Sequence, residues 1–149
     1  MPRLLVVHHT PSPALHAMFE RVIDGASQPE VGDVEVLSTA ALTASPVEVL
    51  GADGYVLGCP ANLGYLSGAL KHFFDTIYYP CLDQTTKRPF GLYLHGNDDC
   101  SGALLAAKKI TTGLSWRQVA EPVVVNGQPN NDDLDRCWEL GAVTAATLL

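Results

Sequence analysis

The sequence predicts an α/β fold in which helices cover both faces of a parallel β-sheet. Short apolar runs typical of buried strands alternate along the chain with segments whose apolar residues recur every three to four positions. This alternation favours a three-layer αβα sandwich with a five-stranded parallel sheet. Because crossovers between parallel strands are right-handed, few strand orders remain, and 2-1-3-4-5 is the natural choice.

The elements of the first half are read from apolar runs, prolines and glycines. They are, in order, a strand (4–7), a helix (14–24), a strand (34–37) and a short helix within residues 40–50. Pro11 and Pro13 make the first turn rigid, and Gly25 is the expected stop of the first helix. Ser45 and Pro46 are typical of the cap and first residue of the short helix.

The most informative stretch is a strand, a tight loop and a helix between residues 53 and 79. Residues 55–57 form an apolar run that predicts a strand buried on both faces, ending at Gly58. A loop is expected over residues 61–65, followed by Ser67 as the N-cap of a helix. The helix is indicated by one apolar face: Leu66, Leu70, Phe73, Phe74 and Ile77.

The second half continues the alternation. It is expected to contain a polar connection (79–88), a strand (90–94), a helix (103–112), a strand (119–125) and a final helix from residue 131. Pro122 interrupts the last strand, because proline lacks the N–H that a ladder needs. Asn131, Asp132 and Asp133 stand at the start of the final helix, where acidic groups favour the helix dipole.

Length and composition describe one globular domain over residues 1–149. The formal net charge of -7 disfavours nucleic acid and anionic membranes as partners, since both require basic patches. No apolar run approaches the roughly 20 residues of a membrane span. The apolar run near the N-terminus is too short for a secretory signal, so a cytoplasmic location is expected.

Chemistry based on side chains of the chain itself is not indicated. The four cysteines form no C-x-x-C pair and have no histidine at metal-ligand spacing, so free thiols and no metal site are expected. Cys59 and Cys100 fall near the same edge of the predicted sheet, which leaves a redox pair open. Hydrolase elbows and Walker loops are absent, and we assign no catalytic residue.

Three loops rich in turn residues follow the first, third and fourth predicted strands, at residues 10–14, 60–65 and 96–102. In a sheet of this order they meet at the carboxyl edge. Together they predict a mononucleotide site, with phosphate in the first loop and the ring between the other two. A helix N-terminus supplies N–H donors for a phosphate, and Thr10 and Ser12 add hydroxyls.

Residues 53–75 also carry a resemblance to a known family. They resemble the flavin loop of the flavodoxin-like flavoproteins, and are most similar to the branch of NADPH-dependent FMN reductases and flavodoxin-fold quinone reductases. The matching residues are Asp53, Gly54, Gly58, Pro60, Gly64, Ser67, Gly68, Leu70, Lys71, Phe73 or Phe74, and Asp75. The rest of the chain agrees with the family in its order of elements.

The resemblance implies FMN as the cofactor. The candidate cofactor-binding residues are His9, Thr10, Ser12, Pro13, Ala14, Leu15, Pro60, Ala61, Asn62, Leu63, Gly64, Tyr65, Gly96, Asn97 and Cys100. The first loop departs from the family pattern: Pro13 replaces a glycine, Leu15 replaces a hydroxyl, and no arginine is present. Tyr65 either stacks on the flavin or covers the helix start, and 98–99 is interpreted as an acidic, solvated turn.

Three functions follow from this reading. The first is an oxidoreductase in which NAD(P)H reduces FMN and a quinone or other small acceptor reoxidises it. The second is an electron carrier that docks through its acidic surface. The third is a cofactor-free interaction module with a decayed phosphate loop. By resemblance to the reductases, a homodimer using Phe74, Tyr78 and Tyr79 is also expected.

Overall fold

A computed structural model describes residues 1–149. Its elements, in chain order, are β1 (Arg3–His8), α1 (Pro13–Ala26), β2 (Glu35–Ala40), α2 (Pro46–Gly51), β3 (Gly54–Asn62), β4 (Tyr65–Leu66), α3 (Gly68–Cys81), β5 (Pro89–Gly96), α4 (Ser101–Gly113), β6 (Arg117–Gln118), β7 (Val123–Asn126) and α5 (Asn131–Ala146). No helix combines the length and hydropathy that crossing a bilayer requires.

The sheet confirms the predicted order. Strands β2, β1, β3 and β5 lie side by side in parallel, and the fifth position is shared by β6 and β7, which pair with opposite ends of β5. Between these two segments, residues 119–122 lie opposite only residues 91–92 of β5. The two extra residues, and Pro122 with no N–H to donate, explain why the last strand is split.

The central strands β1, β3 and β5 are buried on both faces of the sheet, as their apolar sequences require. Along β1, Leu5 and Val7 join the larger core beneath α2, α3 and α4, whereas Leu4 and Val6 join the core beneath α1 and α5. This period-2 alternation turns one continuous apolar run into contacts with both helical layers. The predicted three-layer αβα sandwich is therefore confirmed.

Helix α1 does not stop at Gly25, as the sequence suggested, but continues to Ala26. Gly25 instead marks a close approach between helices. A Cβ at Gly25 would overlap the carbonyl oxygen of Trp138, and one at Gly141 would overlap that of Val22. The two glycines thus let α1 and α5 pack backbone to backbone. In the sequence, a glycine needed for this tertiary contact looks the same as one that ends a helix.

The predicted helix caps are confirmed. The Ser67 hydroxyl accepts a hydrogen bond from the Leu70 N–H at 3.2 Å and caps α3. Ser45 caps the short α2, with Pro46 at its first position. Each cap satisfies an N–H that has no partner inside the helix.

Helix α3 extends through residues 79–81, which we had expected to be a polar connection. Pro80 lies inside its last turn, and the Leu82 N–H still donates to the Tyr78 carbonyl at 2.9 Å, so the backbone closes past the proline. Burial of Cys81 anchors this turn. Its packing therefore outweighs the lost hydrogen bond.

The surface expected to form a dimer is smaller than predicted. Phe74 is buried in the core of its own chain, and Tyr78 packs where its hydroxyl covers Gly113. Only Tyr79 is open, with 81% of its surface exposed. Two of the three rings therefore fold back over their own sheet, because the helix that carries them is longer and better packed than expected.

Candidate ligand site at the carboxyl edge of the sheet

The carboxyl ends of β1, β3 and β5 lie next to one another. His8 is paired in register with Gly58, and Pro60 with His95. The first loop (residues 9–12), the β3–β4 hairpin (Ala61 to Leu66) and the β5–α4 loop (97–100) consequently meet at one edge. This is the convergence that the sequence predicted, at the edge where α/β sheets bind ligands.

The second of these segments is a hairpin and not the loop that we predicted. Strand β3 continues to Asn62, which pairs with Tyr65 in antiparallel β4. The two residues between them, Leu63 and Gly64, have φ angles of +52° and +76°. Positive φ at both central residues is the mark of a tight two-residue hairpin turn. Leucine is rare at the first of these positions, so the sequence lacked the Asn-Gly, Asp-Gly or Gly-Gly pair that normally indicates such a turn.

The hairpin tip rests on the first turn of α4. A Cβ at Gly102 would overlap the Gly64 carbonyl oxygen, so only glycine lets the two backbones meet here. The side chain of Leu63, at the tip, is fully exposed. The position of the hairpin tip is therefore set by its backbone contact with α4 and not by the Leu63 side chain.

A cavity of about 750 Å³ opens between the hairpin and the β5–α4 loop. Its lining residues are Ala61, Asn62, Leu63, Gly64, Asn97, Asp98, Asp99, Ser101 and Gly102. The volume lies within the range of small-molecule sites. Five of the predicted residues thus share one cavity, and the acidic pair, Ser101 and Gly102 join them.

The lining is acidic. Asp98 and Asp99 are its only charged side chains. The Ser101 N–H and hydroxyl bond the Asp99 carboxylate at 2.9 and 2.8 Å, and these bonds hold the pKa of Asp99 below its ordinary value. The carboxylate is therefore ionised at neutral pH and gives the cavity a negative rim. The sequence had suggested only a solvated turn.

The first loop lines none of this cavity. Its side chains are largely engaged locally: the Ser12 hydroxyl accepts from the Leu15 N–H at 3.2 Å, and Thr10 Oγ1 lies 2.7 Å from His8 Nδ1. Leu15 is buried in the core. Among the backbone groups, the N–H groups of Thr10, Ser12 and Ala14 donate to no carbonyl of the chain.

His8 is the polar support of the first loop. Burial lowers the pKa of His8, and the neighbouring His9 lowers it further. Its ring packs on Phe19 with centroids 4.2 Å apart. A neutral imidazole, packed against Phe19, holds Thr10 in place through one ring nitrogen.

The loop after β7 also reaches the site, which the sequence did not reveal. His95 Nε2 lies 2.7 Å from the Gly127 carbonyl oxygen, and the Gly127 N–H donates to Gly96 at 2.8 Å. The Cys100 thiol lies 3.3 Å from the Asn126 amide oxygen. Among the predicted residues, Gly96 and Cys100 therefore support the β5–α4 loop from below and do not line the cavity.

Two further predicted residues lie beside the cavity. Pro60 is buried within β3, and Tyr65 is part of β4 with 44% of its surface exposed. Neither lines the cavity, so the stacking of Tyr65 on a ligand stays a prediction.

The cysteines are all free and buried. Burial raises the pKa of Cys59 and Cys100, and that of Cys137 to about 12, so the thiols are protonated at neutral pH. No group of three His, Cys, Asp or Glu side chains is placed to hold a metal ion.

Comparison with known proteins agrees with the fold. No family model matches the chain. A curated flavodoxin from Aquifex aeolicus is 34% identical over 77 residues, which cover 52% of this chain and 40% of the relative's length. The matched part is thus less than half of that flavodoxin.

Solved structures match over nearly the whole chain. A flavodoxin, WrbA-like protein from Agrobacterium tumefaciens superposes with a TM-score of 0.80 at 18% identity, covering 99% of this chain and 98% of the other. The two-electron reduced flavodoxin of Megasphaera elsdenii gives a TM-score of 0.79 at 21% identity, covering 95% and 98%.

The strand order, the three loops and these similarities define an α/β protein of the flavodoxin-like fold. This fold is what the chain shares with the solved flavodoxin structures compared above.

Proposed function

We propose that this protein binds FMN between the β3–β4 hairpin and the β5–α4 loop and transfers electrons through it. The observation that supports the proposal is the cavity of about 750 Å³ at the carboxyl edge of β3 and β5. In sheets of this kind, that edge is where ligands bind. The similarity of part of the chain to a flavodoxin supports the same assignment.

The lining residues suit a flat, largely apolar ring. Ala61 and Leu63 provide apolar contact, and Gly64 allows a close approach of the backbone. The amides of Asn62 and Asn97 can both donate and accept hydrogen bonds, as the polar edge of a flavin requires. These five residues would hold the ring.

The first loop would receive the rest of the cofactor. The N–H groups of Thr10, Ser12 and Ala14 and the hydroxyl of Ser12 are available to a phosphate, with His9 beside them. Pro13 has no N–H, and Leu15 donates its N–H to the Ser12 hydroxyl, so neither residue adds a donor for a phosphate. The fit of this part is weaker than that of the ring.

A bound flavin supplies the electron-transfer chemistry, and the chain binds, orients and shields it. In such electron transfer the residues around the cavity need not move a proton. Asp98 and Asp99 place negative charge beside the cavity and oppose the addition of negative charge to its ligand. They would therefore make the bound cofactor harder to reduce.

Two electron-transfer functions remain as candidates. One is the oxidoreductase in which NAD(P)H reduces the flavin and a quinone or other small acceptor reoxidises it. The other is the electron carrier, and the acidic rim favours it, because NAD(P)H carries phosphates that the rim repels. The net charge of -7 suits docking to a basic protein partner. Free, buried thiols suit a reducing compartment, and we propose the cytoplasm.

An absorption titration tests the proposal. Purified apoprotein is titrated with FMN while flavin fluorescence and the visible spectrum are recorded, with urea-unfolded protein as the control. Saturable quenching at micromolar concentrations or below supports binding. If none occurs at tens of micromolar FMN, the cofactor-free module becomes the better account.

Anaerobic NADPH then separates the two candidates. Bleaching of the flavin band without a partner reductase supports the oxidoreductase. A band that NADPH leaves unchanged, but that dithionite bleaches, supports the carrier.

A further inference from the structure

The first loop is poor in backbone donors for an anion. Pro11 and Pro13 have no N–H, the Leu15 N–H is used by the Ser12 hydroxyl, and the His9 N–H donates to the Gly58 carbonyl at 2.9 Å. A phosphate dianion is bound by several N–H groups that converge at a helix N-terminus. Here the two prolines alternate with the residues whose N–H groups remain free, so every second residue of residues 10–14 has no N–H to donate.

The same loop has no permanently charged cation. Residues 8–16 contain neither lysine nor arginine. His16, one turn into α1, places Nε2 at 2.8 Å from Glu20, so its ring is directed along the outer face of the helix. Arg21, one turn further, donates to Asp135 at 2.8 Å. A phosphate in this loop would keep most of its charge uncompensated.

The cavity itself is also unsuited to a phosphate. Asp98 and Asp99 rim the cavity, and no basic side chain lines it. Like charges raise the free energy of a bound dianion, whereas an uncharged ring is unaffected. The cavity and the first loop thus differ in what they can bind.

We propose that the site recognises a flavin by its ring and binds FMN and riboflavin with similar affinity. In this proposal Pro13 is the residue whose missing N–H keeps the first loop from binding the phosphate tightly. This inference rests on the proposed function, because both flavins must enter the same cavity. Riboflavin carries the same ring and sugar chain as FMN without the phosphate. The dissociation constants of FMN and riboflavin should therefore agree within about threefold, because neither a permanent cation nor a full set of N–H donors stabilises the bound phosphate.

The test restores the missing donor. Pro13→Ala adds an N–H at the first position of α1, and Pro13 is exposed, so the helix should fold as before. Pro46→Ala is the matched control, because Pro46 also follows a serine cap at a first helical position but belongs to α2. Each full-length apoprotein is titrated with FMN and with riboflavin by fluorescence, and circular dichroism checks the fold.

We expect equal affinities in the unchanged protein, a gain of about tenfold for FMN alone in Pro13→Ala, and no change in Pro46→Ala. FMN binding tenfold or more tighter than riboflavin in the unchanged protein would overturn the inference and leave the proposed function standing. An FMN affinity that Pro13→Ala leaves unchanged would overturn the role of Pro13. Failure of both flavins to bind would overturn the inference together with the function.

Discussion

At the scale of single residues, Tyr93 stands out because its hydroxyl is the one buried side-chain polar atom without a hydrogen-bond partner. Its ring lies over Gly58, where any Cβ would overlap it. Burial raises the pKa of Tyr93 far above its ordinary value, so the group is neutral. A buried donor without a partner costs free energy, which the packing of the ring must offset.

Tyr93→Phe should therefore leave stability unchanged or raise it by up to about 2 kcal/mol, because the ring is kept and the unpaired hydroxyl is lost. Tyr55→Phe is the matched control, since the Tyr55 hydroxyl donates to the Val49 carbonyl at 2.6 Å. That variant should lose about 1–3 kcal/mol. Urea unfolding measures both, and a clear loss in Tyr93→Phe would show that its hydroxyl is bonded.

His8 makes stability depend on pH. Its pKa is lowered from 6.5 in the folded state, so the unfolded chain binds the proton more tightly. The contribution of His8 is complete above pH 6.5 and is lost as pH falls from there toward the lowered folded pKa. His8→Gln, which cannot titrate, should lose less stability between pH 7 and pH 5 than the unchanged protein. Urea unfolding at both pH values measures the loss, and an equal loss of stability in the variant and the unchanged protein would contradict this prediction.

At the scale of elements, the β3–β4 hairpin and the first turn of α4 form the two walls of the site. They touch where Gly64 meets Gly102. Because the contact is between backbones, a single methyl group at Gly102 must move one wall. The width of the cavity is therefore set by one glycine outside the hairpin.

Gly102→Ala should displace the hairpin tip and weaken FMN binding by about tenfold, because overpacking of this kind costs about 1–3 kcal/mol. Gly68→Ala is the control: Gly68 also lies in the first turn of a helix, but a Cβ there meets nothing within 4 Å. Its FMN affinity should stay unchanged. Equal FMN affinity in the two variants, measured by fluorescence titration, would show that the position of the hairpin tip does not affect binding.

The elements that were predicted correctly are those encoded locally. Ser67 precedes an apolar helical face, and Ser45 with Pro46 opens α2, so short-range patterns sufficed. The hairpin was missed because β4 has two residues and its turn begins with Leu63; it depends on α4, which lies about 40 residues away in sequence. The contacts of His95 with the loop after β7 are likewise tertiary and leave no pattern in the sequence.

At the scale of the whole molecule, the exposed apolar surface bears on assembly. Tyr79 on α3 and Val47 on α2 are 81% and 78% exposed, and the two helices adjoin where the Cys81 thiol approaches the Pro46 carbonyl. Exposed apolar groups on neighbouring elements are typical of protein contacts. This surface lies on the outer side of α2 and α3, and neither Tyr79 nor Val47 lines the cavity.

A homodimer through this surface stays a prediction. Sedimentation equilibrium at tens of micromolar should give a mass near twice 15.9 kDa, and Tyr79→Ser should return it to that of one chain. Val143→Ser, on the opposite helical layer, is the control. A single-chain mass for the unchanged protein would reject the dimer and strengthen the electron-carrier candidate.

The central claim is that a flavin binds between the hairpin and the β5–α4 loop. Backbone amide NMR spectra of the labelled protein, recorded during titration with FMN, test it most directly. We predict that the largest shifts fall at residues 61–64 and 97–102, with small ones at the first loop. No shifts at saturating FMN, or shifts confined to another face of the molecule, would contradict the account.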